Sequence, residues 1–336
     1  MASTSPAHET PTEGTLESLG EFSMIEKLQE IALLGAKNLQ SPVPSVDSGD
    51  DAAIVSFGNA DVAVSVDMFI ENRHFRTDWS TGVDIGRRCA AAAMSDICAM
   101  GLTPSTLVVG LAVPNHTTTS FLKELFSGLV EEASIAGARV VGGDLSAADV
   151  VMVSVTAFGP ALKDQPLKRS GACAGDVVAI HGSMGRAAAG LRILQRGLRS
   201  PRSLVDSYRF PHMDYTAGVR AREAGAHSMI DISDGLTADL RHLARASNVT
   251  INIDSGKLPI PEDLQSTASA FGVDPLSWML TGGDDHALVA TFPLETPLPL
   301  GFIAIGEVLE AAPEAVTVDH SPAPLVGGFS HFGGST

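Results

Sequence analysis

Between residues 61 and 67 apolar and polar positions alternate, with Val62, Val64 and Val66 on one side and Ala63, Ser65 and Asp67 on the other. A period of two predicts a strand. Upstream, Ile25, Leu28, Ala32 and Gly35, with Leu33 and Leu39 beside them, give a helical period over about 23–39, and the prolines of 41–48 mark a loop after it. An Ala-rich helix is predicted from 84 to about 100, stopped by Gly101 with Pro104 beyond. Residues 107–113 read as a strand, and Phe121, Leu122, Leu125, Leu129 and Val130 mark an amphipathic helix ending near Gly137. Residues 139–141 and 150–158 are apolar runs on either side of an expected Gly142-Gly143-Asp144 turn.

A second half is expected after Gly159-Pro160, beyond a basic, polar connector that runs through Ser170. It holds a short buried strand at 176–180 and a helix over 185–194. The turn between them, His181-Gly182-Ser183-Met184-Gly185, reads as structural. Residues 200–215 look irregular. A strand at 229–232 precedes a helix carrying Leu236, Leu240 and Leu243, and 251–253, 287–292 and 302–306 complete the predicted strands. Helices and strands are mixed, yet several strands follow one another directly. The predicted class is therefore α/β in the broad sense, α+β with mixed sheets, rather than a regular doubly wound sheet.

A length of 336 residues suits two domains at roughly 150 residues each. Residues 1–20 are expected to be a polar, disordered tail, 21–160 an N-terminal domain and 161–336 a C-terminal α/β domain. With only 5% aromatics, the core must be built mainly from Ala, Val, Leu and Ile. The net charge is −17, which excludes nucleic acid as a partner and disfavours an anionic membrane surface, since both are held by clustered Lys and Arg. No apolar run approaches the roughly 18 residues of a membrane span. The first twenty residues lack the basic and apolar regions of a secretion signal, so a reducing cytoplasm is expected. Cys89, Cys98 and Cys173 form neither a disulfide framework nor a zinc pattern, and the histidines show no paired ligand spacing.

The acidic residues sit in Gly- or Ser-flanked clusters: Gly49-Asp50-Asp51, Ser65-Val66-Asp67, Ser95-Asp96, Gly142-Gly143-Asp144, 231–235 and 282–285. Each has an ordinary explanation as turn chemistry or a helix cap. Together they border buried runs, where a carboxylate needs a cation, a set of donors or a raised pKa. Hard divalent cations take oxygen ligands, so the pattern points to several Mg²⁺ ions and a polyphosphate ligand, with glycines admitting phosphate oxygens to backbone N–H groups. There is no P-loop, kinase motif set, zinc motif or nucleophile elbow.

The ordered set GDDAA (49–53), SVD…ENRHF (65–75), SDICAMG (95–101), GGD (142–144), RSGA (169–172), DISDGL (231–236) and GGDDHAL (282–288) resembles the thiamine-monophosphate kinase family in its actinobacterial form. That family lies within the aminoimidazole ribonucleotide synthetase-like superfamily. The resemblance implies a two-domain subunit whose N-terminal domain binds ATP and Mg²⁺ and whose N-terminal sheets pair across a homodimer. It also implies Mg²⁺-assisted transfer of the ATP γ-phosphoryl to thiamine monophosphate. By motif position Asp51, Ser65, Val66, Asp67, Asp96, Asp144, Asp231 and Asp234 fall on metal ligands. Gly143, Asp144, Arg169 and Ser233 fall on ATP contacts, and His74, Asp284 and Phe329 on substrate contacts. Asp67, Asp96 and Asp144 are the expected catalytic set, holding the central ions.

Two positions depart from the family pattern. Val66 stands where Thr is usual, which leaves its backbone carbonyl as the only donor toward a metal. Asp284 replaces Glu and shortens the reach by one methylene. Another ATP-dependent enzyme of the superfamily, such as selenophosphate synthetase, is the nearest rival, although no Cys precedes Cys89. A nucleotide- and Mg²⁺-binding module without turnover is the other.

Overall fold

The alternating segment forms β2 (Ala60–Ile70), paired antiparallel with β1 (Ala53–Phe57) on one side and β5 (Met152–Ala161) on the other. The structure, a computed structural model, describes residues 45–46, 50–57, 60–161 and 166–324, with Ser23 and Ile25 as isolated helical positions. The rest of the helix expected over 23–39, the tail and Phe329 lie outside the described residues. In β2 the side carrying Ser65 and Asp67 turns inward, whereas Val66 is 61% and Met68 54% exposed. β3 (Thr106–Val113) and β4 (Arg139–Ala147) complete a five-stranded sheet in the order β1-β2-β5-β3-β4, antiparallel except between β3 and β4.

Gly142, Gly143 and Asp144 therefore lie inside a strand, not in a turn. A Cβ on Gly143 would come 1.8 Å from the Val109 carbonyl oxygen of β3, so glycine is the residue that lets β4 approach. β4 is exposed along almost its whole length on the free edge of the sheet, and so carries little apolar periodicity to reveal it. Gly159 and Pro160 also lie in a strand. β5 outruns its pairing with β3 after Phe158, so the missing N–H of Pro160 leaves no gap in that ladder.

The Ala-rich helix is α1 (Gly82–Ala99), opened by a capping box in which Thr81 and Asp84 exchange backbone bonds. It is buried nearly all round, against β2 and β5 on one side, α2 (Thr119–Ile135) on another, and the second half of the chain beyond. Small side chains allow this approach from every direction. Cys89 and Cys98 are fully buried in it, as their Ala/Met surroundings predicted.

The second half forms a seven-stranded sheet from β6 (Val177–His181), β7 (Ser228–Ile232), β8 (Thr250–Ile253), β9 (Ala287–Phe292), β10 (Phe302–Leu309), β11 (Val316–Val318) and β12 (Ser321–Pro322). Their order is β12-β11-β8-β10-β6-β9-β7, antiparallel except between β11 and β8. Both sheets are thus mixed, as expected. Around the second are α3 (Arg186–Gln195), α4 (Arg202–Arg209), α5 (Ala217–Glu223), α6 (Leu236–Ser247), α7 (Glu262–Phe271) and α8 (Pro275–Thr281). The stretch expected to be irregular holds α4, which buries Leu204, Val205 and Tyr208. At eight residues it is too short to show a helical period, and α5 and α8 are shorter still. In α7 only Leu264, Thr267 and Ala268 are buried, a stripe too thin to read from sequence.

One apolar cluster joins α1 and the first sheet to Ala179, Met229, Ala290 and Phe292 of the second, so α1 is clasped between the two sheets. The second cluster lies under α3, α6 and α8. The C-terminal end of α1 is thereby set beside the end of β7, where the acidic motifs meet.

Candidate active site

Three carboxylates from distant parts of the chain converge there. Asp51 precedes β1, Asp96 is in the last turn of α1 and Asp231 is in β7; one oxygen of each lies within 4.8 Å of the others. The Asp51 side chain is wholly inaccessible and pairs with Arg169, whose Nη2 is 2.8 Å from Asp51 Oδ1. The backbone N–H of Arg169 donates to Asp50 at 2.6 Å. Ser65, on the inward side of β2, donates to Asp96 Oδ2 at 2.5 Å.

Burial pushes Asp51 up to about 7; Arg169 draws it back and the charge of Asp231 adds to the rise. Burial, with the charges of Asp67, Asp231 and Asp51, pushes Asp96 well above the usual carboxylate range. Burial would also raise Asp231, but its hydrogen bond and charge pairing with His286 and its bond to Ser95 outweigh it and hold Asp231 low. Three oxygen ligands crowded in a desolvated place, two of them reluctant to ionise without a counter-charge, suit a hard divalent cation. The donor set is all oxygen, and this fits Mg²⁺.

Ser233 and Asp234 lie on the loop after β7. The N–H groups of Ser233, Asp234 and Gly235 each donate to Asp239 at 3.1 Å. Likewise Asp285 accepts from the N–H groups of Gly185 at 2.5 Å and Ala187 at 2.9 Å. The N–H groups of the 233–235 loop, expected to face a phosphate, are thus held by an internal carboxylate, and the 181–185 turn is fixed by Asp285 in line with its structural reading. The two loops also interlock: a Cβ on Gly283 would stand 2.3 Å from the Ser233 carbonyl oxygen.

Asp144 stands apart from the trio. The pairing places it in one row with Gly110, Ser154 and Met68, and it lines a groove with them on the open side of the first sheet. Asp67 belongs to the neighbouring row with Val155 and Val109, which are buried on the inward side. Gly143 is on the same edge strand as Asp144. The Val66 side chain projects to the open side and contributes nothing to the trio.

Toward the substrate positions, His74 follows β2, and its Nδ1 accepts the Ile70 N–H at 2.9 Å. Asp284 has a left-handed backbone, with φ of 66°, and its carboxylate meets Arg88 of α1 at 2.7 Å. Three further residues escaped the sequence reading. Ser95 Oγ lies 2.8 Å from Asp231 Oδ2, His286 Nδ1 lies 3.1 Å from the same oxygen, and Arg88 holds Asp284. Ser95 and His286 sit inside recognised motifs, but only the folded chain puts them beside Asp231.

The fold is that of the AIR synthase-related proteins. The model for the AIR synthase related protein, N-terminal domain, matches residues 49–161, and that for the AIR synthase related protein, C-terminal domain, matches 174–290. The thiamine-monophosphate kinase of Mycobacterium tuberculosis is 42% identical over 332 residues, covering 98% of this chain and 97% of the relative. That of Corynebacterium glutamicum is 35% identical, with 95% of each chain covered. A solved structure of AaThiL complexed with AMPPCP and TMP superposes with a TM-score of 0.84 at 28% identity, covering 94% of this chain and 98% of that one. The chain belongs to the thiamine-monophosphate kinase family.

Proposed function

We propose that this protein transfers the γ-phosphoryl group of ATP directly to the phosphate of thiamine monophosphate. The bond between the γ-phosphorus and the β–γ bridging oxygen breaks and one to an acceptor phosphate oxygen forms, giving ADP and thiamine diphosphate. The observation that carries this reading is the convergence of Asp51, Asp96 and Asp231 in a chain 42% identical to a thiamine-monophosphate kinase over nearly its full length.

Donor and acceptor are both phosphates, and bound Mg²⁺ would supply the neutralising charge that lets them approach. Asp51, Asp96 and Asp231, with Ser65, Asp67, Asp234 and the Val66 carbonyl, would hold the ions on the inward side. Gly143 and Asp144 would contact ATP and its metal from the edge strand, Arg169 would take the ATP phosphates, and Ser233 would offer its hydroxyl. His74 and Asp284 orient the acceptor. No general base is required, because a phosphate monoester is already largely ionised near neutral pH, its second pKa being about 6. Binding and alignment are therefore the chief work of these side chains.

The open side of the first sheet, with Val66, Met68 and Val108 exposed, supports a homodimer joined through the N-terminal domains, here taken as residues 21–160. Among the described residues no helix is long and apolar enough to cross a membrane, which fits the proposed cytoplasmic setting. The test is to incubate protein, ATP and Mg²⁺ with thiamine monophosphate, and in parallel with thiamine. Thiamine diphosphate from the first alone is the expected result; no product from either would leave a nucleotide-binding module.

A further inference from the structure

A second set of ligand-type side chains lies away from the acidic trio. Cys173, Asp176 and His227 bring one ligand atom each within 4.8 Å of one another, although 54 positions separate Cys173 from His227. Cys173 and Asp176 share a turn before β6. The Cys173 N–H donates to Asp176 Oδ2 at 2.9 Å, and the Asp176 N–H donates to the Cys173 carbonyl at 3.0 Å. His227 immediately precedes β7, its N–H fixed on the Thr291 carbonyl at 2.8 Å. Its Nδ1 faces both Asp176 oxygens, at 2.9 and 3.1 Å. The carboxylate is buried while thiol and imidazole reach solvent, so an ion has an anchored floor and an open approach.

We propose that Cys173, Asp176 and His227 form a binding site for a borderline transition-metal ion of the Zn²⁺ type, separate from the phosphoryl-transfer site. Sulfur, nitrogen and oxygen ligands together select such an ion over Mg²⁺, which prefers oxygen alone. Zn–S of about 2.3 Å and Zn–N of about 2.0 Å set tetrahedral ligand atoms roughly 3.3–3.6 Å apart. The three ligand atoms, all within 4.8 Å of one another, stand near this spacing. Binding releases the thiol proton to solvent, shifts the proton of the neutral imidazole from Nδ1 to Nε2, and leaves a fourth position for water. Asp231 lies four positions beyond His227 along β7, about 13 Å at 3.3 Å per residue, so an ion here stands away from the trio.

Cobalt provides the readout, because a Co²⁺–thiolate bond gives a near-ultraviolet charge-transfer band that oxygen ligation does not. The full-length protein, stripped of metal and titrated with Co²⁺ in excess Mg²⁺, is expected to show that band saturating at one equivalent, and Zn²⁺ should displace it. Cys173→Ala should abolish the band, and His227→Ala should weaken binding by roughly tenfold or more. Both variants should keep their Mg²⁺-dependent turnover. No thiolate band in the wild-type protein, or a band unchanged in Cys173→Ala, would overturn the site.

Discussion

Arg88, buried in α1, meets the half-exposed Asp284 across the two halves of the chain, with 2.7 Å between Nη2 and Oδ2. The same guanidinium donates to the Tyr208 carbonyl and lies over the Tyr208 ring. A rigid cation therefore sets the direction of a carboxylate proposed to face the acceptor. Asp284→Asn should keep the fold and raise the acceptor KM about tenfold, with kcat within a few-fold. Arg88→Met should do the same and also lower stability by about 1–2 kcal/mol. That is less than for a fully buried pair, because Asp284 is 44% exposed on its side chain and stays hydrated. Steady-state kinetics and thermal melts separate the two effects.

Asp67 and Asp144 project from opposite sides of one sheet, yet both are proposed to serve the transferred phosphoryl group. Asp67→Asn and Asp144→Asn should each lower kcat at least about 100-fold, since each removes a charge from the proposed ion-binding set. Circular dichroism should be unchanged. Near-normal turnover in either variant would remove that residue from the proposed set.

Without metal, the trio makes stability depend on pH in a definite sense. Asp51 holds its proton to about 7 in the folded protein against an ordinary value of 3.8, and Asp96 shifts the same way. Between about pH 4 and 7 Asp51 binds more protons in the folded state than in the unfolded one, so its contribution to stability falls as pH rises, and Asp96 acts in the same direction. Asp231 is shifted low and acts only at more acid pH. Mg²⁺ should therefore raise the melting temperature by several degrees at pH 8 and by little at pH 5. Equal shifts at both pH values would contradict cation binding at the trio.

Gly143→Ala should strike fold and site together. The added Cβ, 1.8 Å from the Val109 carbonyl oxygen, cannot be absorbed by a flexible side chain, so β4 must move. A loss of roughly 1–3 kcal/mol is expected, together with weaker ATP binding as Asp144 is displaced. Chemical denaturation and nucleotide titration measure the two losses.

Val108→Asp places a charge on the open side of the first sheet, at a position 38% exposed in the single chain. Sedimentation should show a dimer for the unaltered protein and a monomer for the variant. A variant that remains dimeric would place the contact elsewhere.

Much of this was legible in the chain itself. Alternation located β2, the Ala-rich run located α1, and the ordered Asp motifs identified the family, because strand and helix periods and motif spacing are local properties. Exposed or short elements left no such trace: β4 hides its pairing behind glycines, and α4, α5 and α8 are too brief for a period. The tertiary structure alone decided which carboxylates meet. Local spacing cannot tell that Asp51, Asp96 and Asp231 share one desolvated point, that Asp239 and Asp285 serve helix ends, or that Asp144 faces the other way. Nor can it bring His227 to Cys173 and Asp176. Those outcomes follow from packing two sheets around a single helix of small residues, a constraint that acts between positions far apart in sequence.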